Sequence, residues 1–497
     1  MNADRKSDEP IVPPTQTNNA DAETAAESAE ERGSARMNTD QTNRRRTPSR
    51  TKRRSLGLQG VRDTARAQPR LKFNNLLHHI SVPLLHTSLN RLRKDAAAGI
   101  DDETWREFEP DREARIADLH DRIHRGSYRA KPSKRMYLPK PDGRKRPIGI
   151  ASLEDKIVQK AVALVLECIY EVDFCGFSYG GRPRRGSHDA LDALCVGIEK
   201  QKVNWILDAD VKGFFDNVDH EWLMKFIEHR VSDQRILRLL RKWLRAGVSE
   251  DGEWSATTVG TPQGAVISPL LANVYLHYVL DLWIDHWRKH AALRGVIVVR
   301  YVDDFVIGFE SKADAEACLA ALRERFGKFG LELHSEKTRL LEFGRFAIER
   351  RAERGEGRPE TFDFLGFTHR CDTAPKTGWF VIRRETIASR MTRTLTTIRE
   401  KLHRRRHESI GEIGRWLKRV VGGWMRYYAI PGNVSRMRRF RDEVSRLWLR
   451  TLRRRSQRHR WPWARMKRLI KLYLPAAKVL HPYPDQRYRA RIEAGAV

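Results

Sequence analysis

Val296-Ile-Val-Val-Arg-Tyr-Val-Asp-Asp-Phe-Val-Ile-Gly-Phe-Glu310 is the stretch on which the reading of this chain turns. Two short β-branched and apolar runs, Val296 to Arg300 and Phe305 to Phe309, flank Tyr301-Val302-Asp303-Asp304, which predicts a β-hairpin with two adjacent carboxylates at its turn. Strands this apolar must bury at least one face, so the carboxylates stand at the edge of a core and repel each other. Turn propensity alone accounts for an Asp-Asp pair. A divalent cation accounts for it equally well, because hard oxygen ligands suit Mg²⁺.

The upstream sequence favours the cation. Val203-Asn-Trp-Ile-Leu-Asp-Ala-Asp-Val-Lys-Gly-Phe-Phe-Asp216 begins as a strand, breaks at Gly213 and leads into a helix that Asp219 can cap. If this strand pairs with the hairpin, Asp208 or Asp210 comes to lie beside Asp303 and Asp304. Three carboxylates around two cations roughly 3.5 to 4 Å apart stabilise both the attacking and the leaving oxygen in phosphoryl transfer. Between the two segments lies Val259-Gly-Thr-Pro-Gln-Gly-Ala-Val-Ile-Ser-Pro269, a loop whose glycines let backbone approach a ligand, followed by a long amphipathic helix. As a general phosphate loop it lacks the Gly-Lys-Ser/Thr ending. After the hairpin the pattern predicts a helix over Lys312 to Phe329, a strand over Leu331 to Phe343 that holds Lys337, and a further hairpin element at Phe362 to His369. Strand, helices, hairpin, helix, strand is the order of a split β-α-β sheet, a polymerase-type palm.

The bulk properties agree. The chain has 497 residues and a formal charge of +31, from 95 Lys and Arg against 64 Asp and Glu. An excess of that size points to a polyanionic partner, nucleic acid first. It is unevenly placed: Val381 to Val497 holds 32 basic and 8 acidic residues, a net +24. Five cysteines without Cys-x-x-Cys spacing argue against disulfides and zinc, and for a reduced, cytoplasmic protein. No apolar run is long enough for a bilayer, so no membrane role is expected.

Residues 1–66 are poor in large apolar side chains and read as a disordered arm with basic clusters at Arg44 to Arg46 and Lys52 to Arg54. Leu71 to about His124 suggests three short helices. Arg135 to Ile150 reads as a hairpin about Pro141-Asp142-Gly143, with Lys140, Arg144, Lys145 and Arg146 around its tip, where they either grip a triphosphate or are simply solvated. Near the end, Ile387 to His403, Gly411 to Tyr428 and Arg436 to Leu452 read as three helices, basic on one face and apolar on the other. Trp416, Trp424, Tyr427 and Tyr428 either stack on bases or, as aromatics at helical spacing usually do, form core.

Nine motifs in order now carry a resemblance: AAGIDDETW near residue 100, LPKPDGRKRPIGI, FSYGGRPRRGSHDAL, DADVKGFFDNVDH, GTPQGAVISPLLANVYL, RYVDDF, LELHSEKT, FDFLGF and GGWMRYYAIPGN. From about Leu71 to His481 the chain resembles a bacterial group II intron reverse transcriptase/maturase. The resemblance implies an α+β right-hand polymerase, with fingers and palm over 67–375, a helical thumb or maturase domain X over 376–455, and a basic nucleic-acid-binding appendage over 456–497. It implies Asp210, Asp303 and Asp304 as catalytic carboxylates holding two Mg²⁺. Lys140 and Arg146 would meet the triphosphate, Gln263 and Gly264 would line the nucleotide and template site, and Lys337 would lie near the triphosphate. Phe215, five residues after Asp210, stands where reverse transcriptases set a ring against the sugar. RNA contacts are expected from Arg415, Lys418, Arg419, Arg426 and Tyr427.

The partners implied are intron RNA, a DNA target or primer, dNTPs and, as an open option, a second copy of the chain. Val302 stands where Ala is usual, Ala265 replaces a Gly and Gly181 an aromatic. No cysteine follows Cys371, so the Cys-pair and His-rich nuclease of some relatives is not expected. Rival readings are an RNA-dependent RNA polymerase, which Phe215 argues against, an RNA chaperone without polymerase activity, and a domesticated reverse transcriptase serving a host function such as defence.

Overall fold

The computed structural model describes residues 57–139, 145–250, 253–255, 259–260, 264–455 and 461–493. Helices α1 (Leu58–Ala67), α2 (Val82–Asn90), α3 (Trp105–Phe108) and α4 (Arg112–Arg125) lead into strands β1 (Ser133–Pro139) and β2 (Lys145–Ile150). Most of the arm expected over 1–66 lies outside the described residues, but its last part does not follow the expectation: α1 buries Val61 and Ala65 against the core. Small side chains four residues apart are enough for a short helix to lie on a neighbour. Of the three helices expected after Leu71, the first is instead extended chain with one 3₁₀ turn, because the Asp233 carboxylate accepts from the Leu76 and Leu77 amides at 2.7 and 3.0 Å and fixes that backbone.

Helices α5 (Leu153–Asp173) and α6 (Ser187–Lys200) precede β3 (Trp205–Asp210), α7 (His220–Glu228), α8 (Gln234–Arg245), β4 (Val248–Glu250) and β5 (Glu253–Ser255). Then come α9 (Ser268–Leu276), a π-helical turn (His277–Asp281), α10 (Leu282–His290), β6 (Val296–Tyr301), β7 (Asp304–Phe309), α11 (Lys312–Gly327) and β8 (Arg339–Glu342). The central sheet runs β6-β7-β3-β8, all neighbours antiparallel, which is the split β-α-β order expected.

Alternation divides this sheet between two cores. Leu207, Ala209, Val298, Phe305, Ile307 and Phe309 face the first, with α5, α9 and α11. Ile206, Ile297, Val299, Val306 and Leu341 face the second, with α6. Each Val, Leu, Ile or Phe side chain so buried contributes about 1.5–3 kcal/mol, whereas like charges directly opposite across a ladder cost within about 0.2–1 kcal/mol. The hairpin can therefore carry its carboxylates.

The second core continues into β9 (Phe362–Phe364), β10 (Phe367–Thr373), β11 (Phe380–Thr386) and helices α12 (Ala347–Glu353), α13 (Ala388–Arg404), α14 (Ile410–Tyr428), α15 (Val434–Arg453), α16 (Trp463–Tyr473) and α17 (Pro484–Glu493). The three basic helices fall within two residues of where periodicity put them. Beyond them, 461–493 is not a loose appendage. Trp461, Met466, Ile470, Leu474 and Tyr488 are buried, and α17 lies on α6, where the Arg487 guanidinium meets Asp192.

Candidate functional site

Register builds the site. Asp210, the last residue of β3, lies directly opposite Asp304, the first residue of β7, and Asp303 sits in the two-residue turn that joins β6 to β7. Period-2 alternation puts Asp208, Asp210 and Asp304 on one face, the face of Ile206 and Val306 that looks toward the C-terminal helices. The Lys337 ammonium lies 2.6 Å from one oxygen of Asp210, and Arg339 lies 3.3 Å from Asp208. Lys337 is not on a strand, as the alternation suggested. The chain turns at residues 335–337 before β8 begins at Arg339, after the His334 amide has donated to the Asp210 carbonyl at 2.8 Å.

Asp210 and Asp208 are paired in this way, whereas among the described residues Asp303 and Asp304 have no ion-pair partner. Burial, then Asp303, Asp210 and Asp208, pushes the Asp304 carboxyl up to about 6. Asp304 is open to solvent on its outer side, which moderates the effect without reversing it. Asp303 is raised by burial and by Asp210, and held down by Arg146 and Arg300. Burial also pushes Asp208 up to about 6 against the pull of Arg339. Among the described residues no three Asp, Glu, His or Cys side chains already form a closed metal cage. The donor set nonetheless suits a hard cation, since these are oxygen ligands whose like charges raise one another's pKa.

Other expected residues gather around this centre. Arg146 on β2 is close enough to act on Asp303. Gly264 has φ +109°, and a Cβ there would lie 2.7 Å from the Ile148 side chain and 3.0 Å from the Gly149 carbonyl, so only glycine brings this loop onto β2. Phe215 follows Gly213 on a 3₁₀ turn and is half-buried, its ring held edge-on by Phe214 at 5.3 Å. Lys140 and Gln263 lie outside the described residues. Arg415, Lys418, Arg419 and Arg426 form an exposed stripe on α14, opposite the buried Ile413, Leu417, Val421 and Trp424. Tyr427 is different: its hydroxyl donates to the Leu365 carbonyl at 2.6 Å and its ring stacks on Phe367 at 5.7 Å, so protein contacts occupy it. Trp424 and Tyr428 are likewise core.

The residue that sequence reasoning missed is Arg300. Its side chain is 0 % exposed. It donates to both Asp281 oxygens at 2.6 and 2.5 Å, to the Asn273 side chain at 2.9 Å, to the Ser178 hydroxyl at 2.7 Å and to the Val302 carbonyl at 2.9 Å. That last bond fixes the peptide entering Asp303. Val302 itself has φ +59°, an outlier for a β-branched residue. Gly180 makes room for it, since a Cβ there would lie 2.6 Å from Val302, and Asn273 holds the Gly180 carbonyl at 2.7 Å. Arg300 thus ties three distant segments to one turn. Its only local signal was an arginine in an otherwise apolar strand.

A split β-α-β sheet that sets two carboxylates opposite each other and a third on the adjoining turn is a polymerase palm. The model of the reverse transcriptase (RNA-dependent DNA polymerase) family matches residues 138–369. Protein YkfC of Escherichia coli is 33% identical over 280 residues, covering 48% of this chain and 73% of that protein. The group II intron-encoded protein LtrA of Lactococcus lactis is 39% identical over 182 residues, 36% of this chain and 30% of LtrA. An uncharacterized 91 kDa protein in the cob intron of Schizosaccharomyces pombe is 38% identical over 166 residues, 33% of this chain and 20% of that protein. The chain belongs to the reverse transcriptase family, as a group II intron reverse transcriptase/maturase. Except for YkfC, these relatives are matched over less than a third of their own length.

Proposed function

We propose that this protein copies intron RNA into DNA, binds the same RNA to assist splicing, and supports intron mobility by target-primed reverse transcription. The observation that carries the polymerase reading is the register pairing of Asp210 with Asp304, with Asp303 on the turn beside them. Two Mg²⁺ held by these carboxylates would favour ionisation of the primer 3′-hydroxyl and neutralise charge developing on the α-phosphate. The chain's own groups do the rest. Arg300 keeps the Asp303 turn in one conformation. Lys337, now on Asp210, is within reach to exchange that partner for a phosphate oxygen. Arg146, with Lys140, meets the triphosphate, and Gln263 and Gly264 line the nucleotide and template side. The Phe215 ring, propped by Phe214, lies against the sugar and excludes a 2′-hydroxyl. Helices α13 to α15 act as the thumb, where the stripe of Arg415, Lys418, Arg419 and Arg426 tracks phosphates.

Primer extension on an RNA template with dNTPs and Mg²⁺ tests this, beside Asp303→Ala/Asp304→Ala. Extension that the double variant abolishes is the expected result. Tight RNA binding by wild-type protein that extends no primer would replace the polymerase reading with that of a chaperone. A second arm compares dNTP with NTP: Phe215→Ala should admit ribonucleotides, and unchanged discrimination would remove the gate role.

A further inference from the structure

The last turns of α13 and α15 enclose a cleft of about 520 Å³ that none of the catalytic residues touches. Arg399, His403 and Arg404 come from α13, Arg450 and Arg454 from α15 and the residue after it, and Leu447 lies between them; Glu400 is the acid among the lining residues. Among the described residues the side chains of Arg399, Arg404, Arg450 and Arg454 have no hydrogen bond or ion pair. Their neighbours are used differently. The Arg405 Nε–H is shared between the two Glu408 carboxylate oxygens at 2.9 and 2.8 Å, Arg455 donates to the Glu408 carbonyl at 2.7 Å and Arg453 to the Trp461 carbonyl at 3.0 Å. The walls are therefore braced, and of the lining arginines Arg406 donates to His407 at 2.9 Å while these four stay uncommitted.

Cations at helix C-termini are favoured by the macrodipole. That accounts for one or two at each end, but not for four guanidiniums from two helices converging on one cleft, where like charges four residues apart repel. Convergent forks of this kind fit phosphate oxygens.

Distance along α13 separates the cleft from the copying site. Arg390, at the start of α13, is close enough to lower the Asp304 pKa, so that end of the helix lies near the carboxylates. Arg399 and Arg404 lie nine and fourteen residues further on, about 14 Å and about 21 Å along the helix. We propose that the α13–α15 cleft is a second nucleic-acid site, which grips the sugar-phosphate backbone of folded RNA apart from the strand being copied. This rests on the reading that the protein binds its intron RNA, and it assigns that grip to residues other than the α14 stripe.

The test uses the full-length protein with Arg399, Arg404, Arg450 and Arg454 all changed to Gln. One probe is a labelled RNA hairpin that offers no primer end; the other is a DNA primer on an unstructured RNA template with dNTPs. The variant should bind the hairpin about tenfold or more weakly at physiological salt, and its log–log salt slope should fall by about 3, at roughly 0.7 to 0.9 for each phosphate no longer neutralised. Primer extension should be unchanged, and the matching set of Arg→Lys changes should restore most of the slope. An unchanged hairpin affinity and slope would overturn the proposal. So would proportionate loss of extension and hairpin binding, which would make the cleft part of the copying channel. Hairpin results as expected, with no extension by the wild type, would uphold this site while removing the polymerase reading.

Discussion

A fully buried guanidinium is tolerated only when its N–H groups are all occupied, and Arg300 achieves this by joining Asp281, Asn273, Ser178 and the Val302 carbonyl. Removing it leaves Asp281 buried alone, so Arg300→Met should cost about 3–5 kcal/mol of stability. Replacing the pair together, Arg300→Met/Asp281→Leu, should return much of that stability, because an apolar pair leaves no unpaired charge. It should not return activity. The Val302 carbonyl stays unheld, and a catalytic group displaced by about 1 Å can cost about 10²-fold in kcat. Single-turnover extension across a dNTP series should show kcat falling with KM for dNTP little changed; full recovery of kcat in the double variant would reduce Arg300 to a packing residue. Asp304 supplies a prediction of opposite sign. Its folded pKa, pushed up to about 6, lies above its ordinary value of 3.8, so the folded state holds the proton more tightly than the unfolded chain does. Stability is then lost as pH rises from about 4 through about 6, and Asp304→Asn should raise Tm at pH 7.5 with the gain vanishing near pH 4. Mg²⁺ should raise the wild-type Tm at pH 7.5 and have less effect on the variant. Scanning calorimetry across pH checks both, and an Asn variant no more stable than wild type at pH 7.5 would remove the claim of uncompensated charge.

At the scale of elements, the C-terminal helix α17 closes the fold through Asp192, which lies between Arg384 at 3.0 Å and Arg487. The two arginines are not equivalent. Arg384 is 2 % exposed and Arg487 is 14 % exposed. Asp192→Ala strands the buried Arg384 and should cost about 3–5 kcal/mol, whereas Arg487→Ala leaves the Asp192–Arg384 pair intact and should cost less. Urea midpoints of the two variants decide this, and equal losses would show that the pair is not what α17 closes upon. The same elements show what the sequence made legible. The β6–β7 hairpin was readable because apolar alternation and two adjacent carboxylates are both local signals; a strand ending in Asp-Ala-Asp sets both acids on one face, and it was the resemblance that singled out Asp210. Lys337 was placed on a strand because Leu-Glu-Leu-His alternates, yet the His334 amide turns onto Asp210 and ends the alternation. The buried residues of 461–493 were harder to read, because Met466, Ile470 and Leu474 alternate with Arg465, Lys467, Arg468 and Lys471 over a single short helix and the residue that caps it. Beyond standing in an apolar strand, Arg300 gave no sign of its role, since its partners at residues 178, 273 and 281 are brought together only in the folded chain.

Across the whole molecule, the second core runs without interruption from the sheet face under Asp208 and Asp210 to Trp424, Phe440 and Trp448 in the helical bundle. The bundle therefore packs on the same sheet face that carries Asp208, Asp210 and Asp304. Among the described residues no helix is long and apolar enough to cross a membrane. A net charge of +31 favours binding to a polyanion. If the stripe on α14 tracks the primer–template duplex, its four cations act through counterion release and not through any base. Changing Arg415, Lys418, Arg419 and Arg426 together to Gln should weaken primer–template binding alike for unrelated sequences and lower the salt slope by about 3, at roughly 0.7 to 0.9 per phosphate. At saturating primer–template the KM for dNTP should not move, because none of the four reaches the nucleotide side. Processivity should fall, since a duplex held less tightly leaves more often between additions. Titrations of two unrelated primer–templates over a range of salt, together with product-length distributions under a trap, measure all three. A loss confined to one sequence would mean that the stripe reads bases, and an unchanged slope would move the duplex to another face of the bundle.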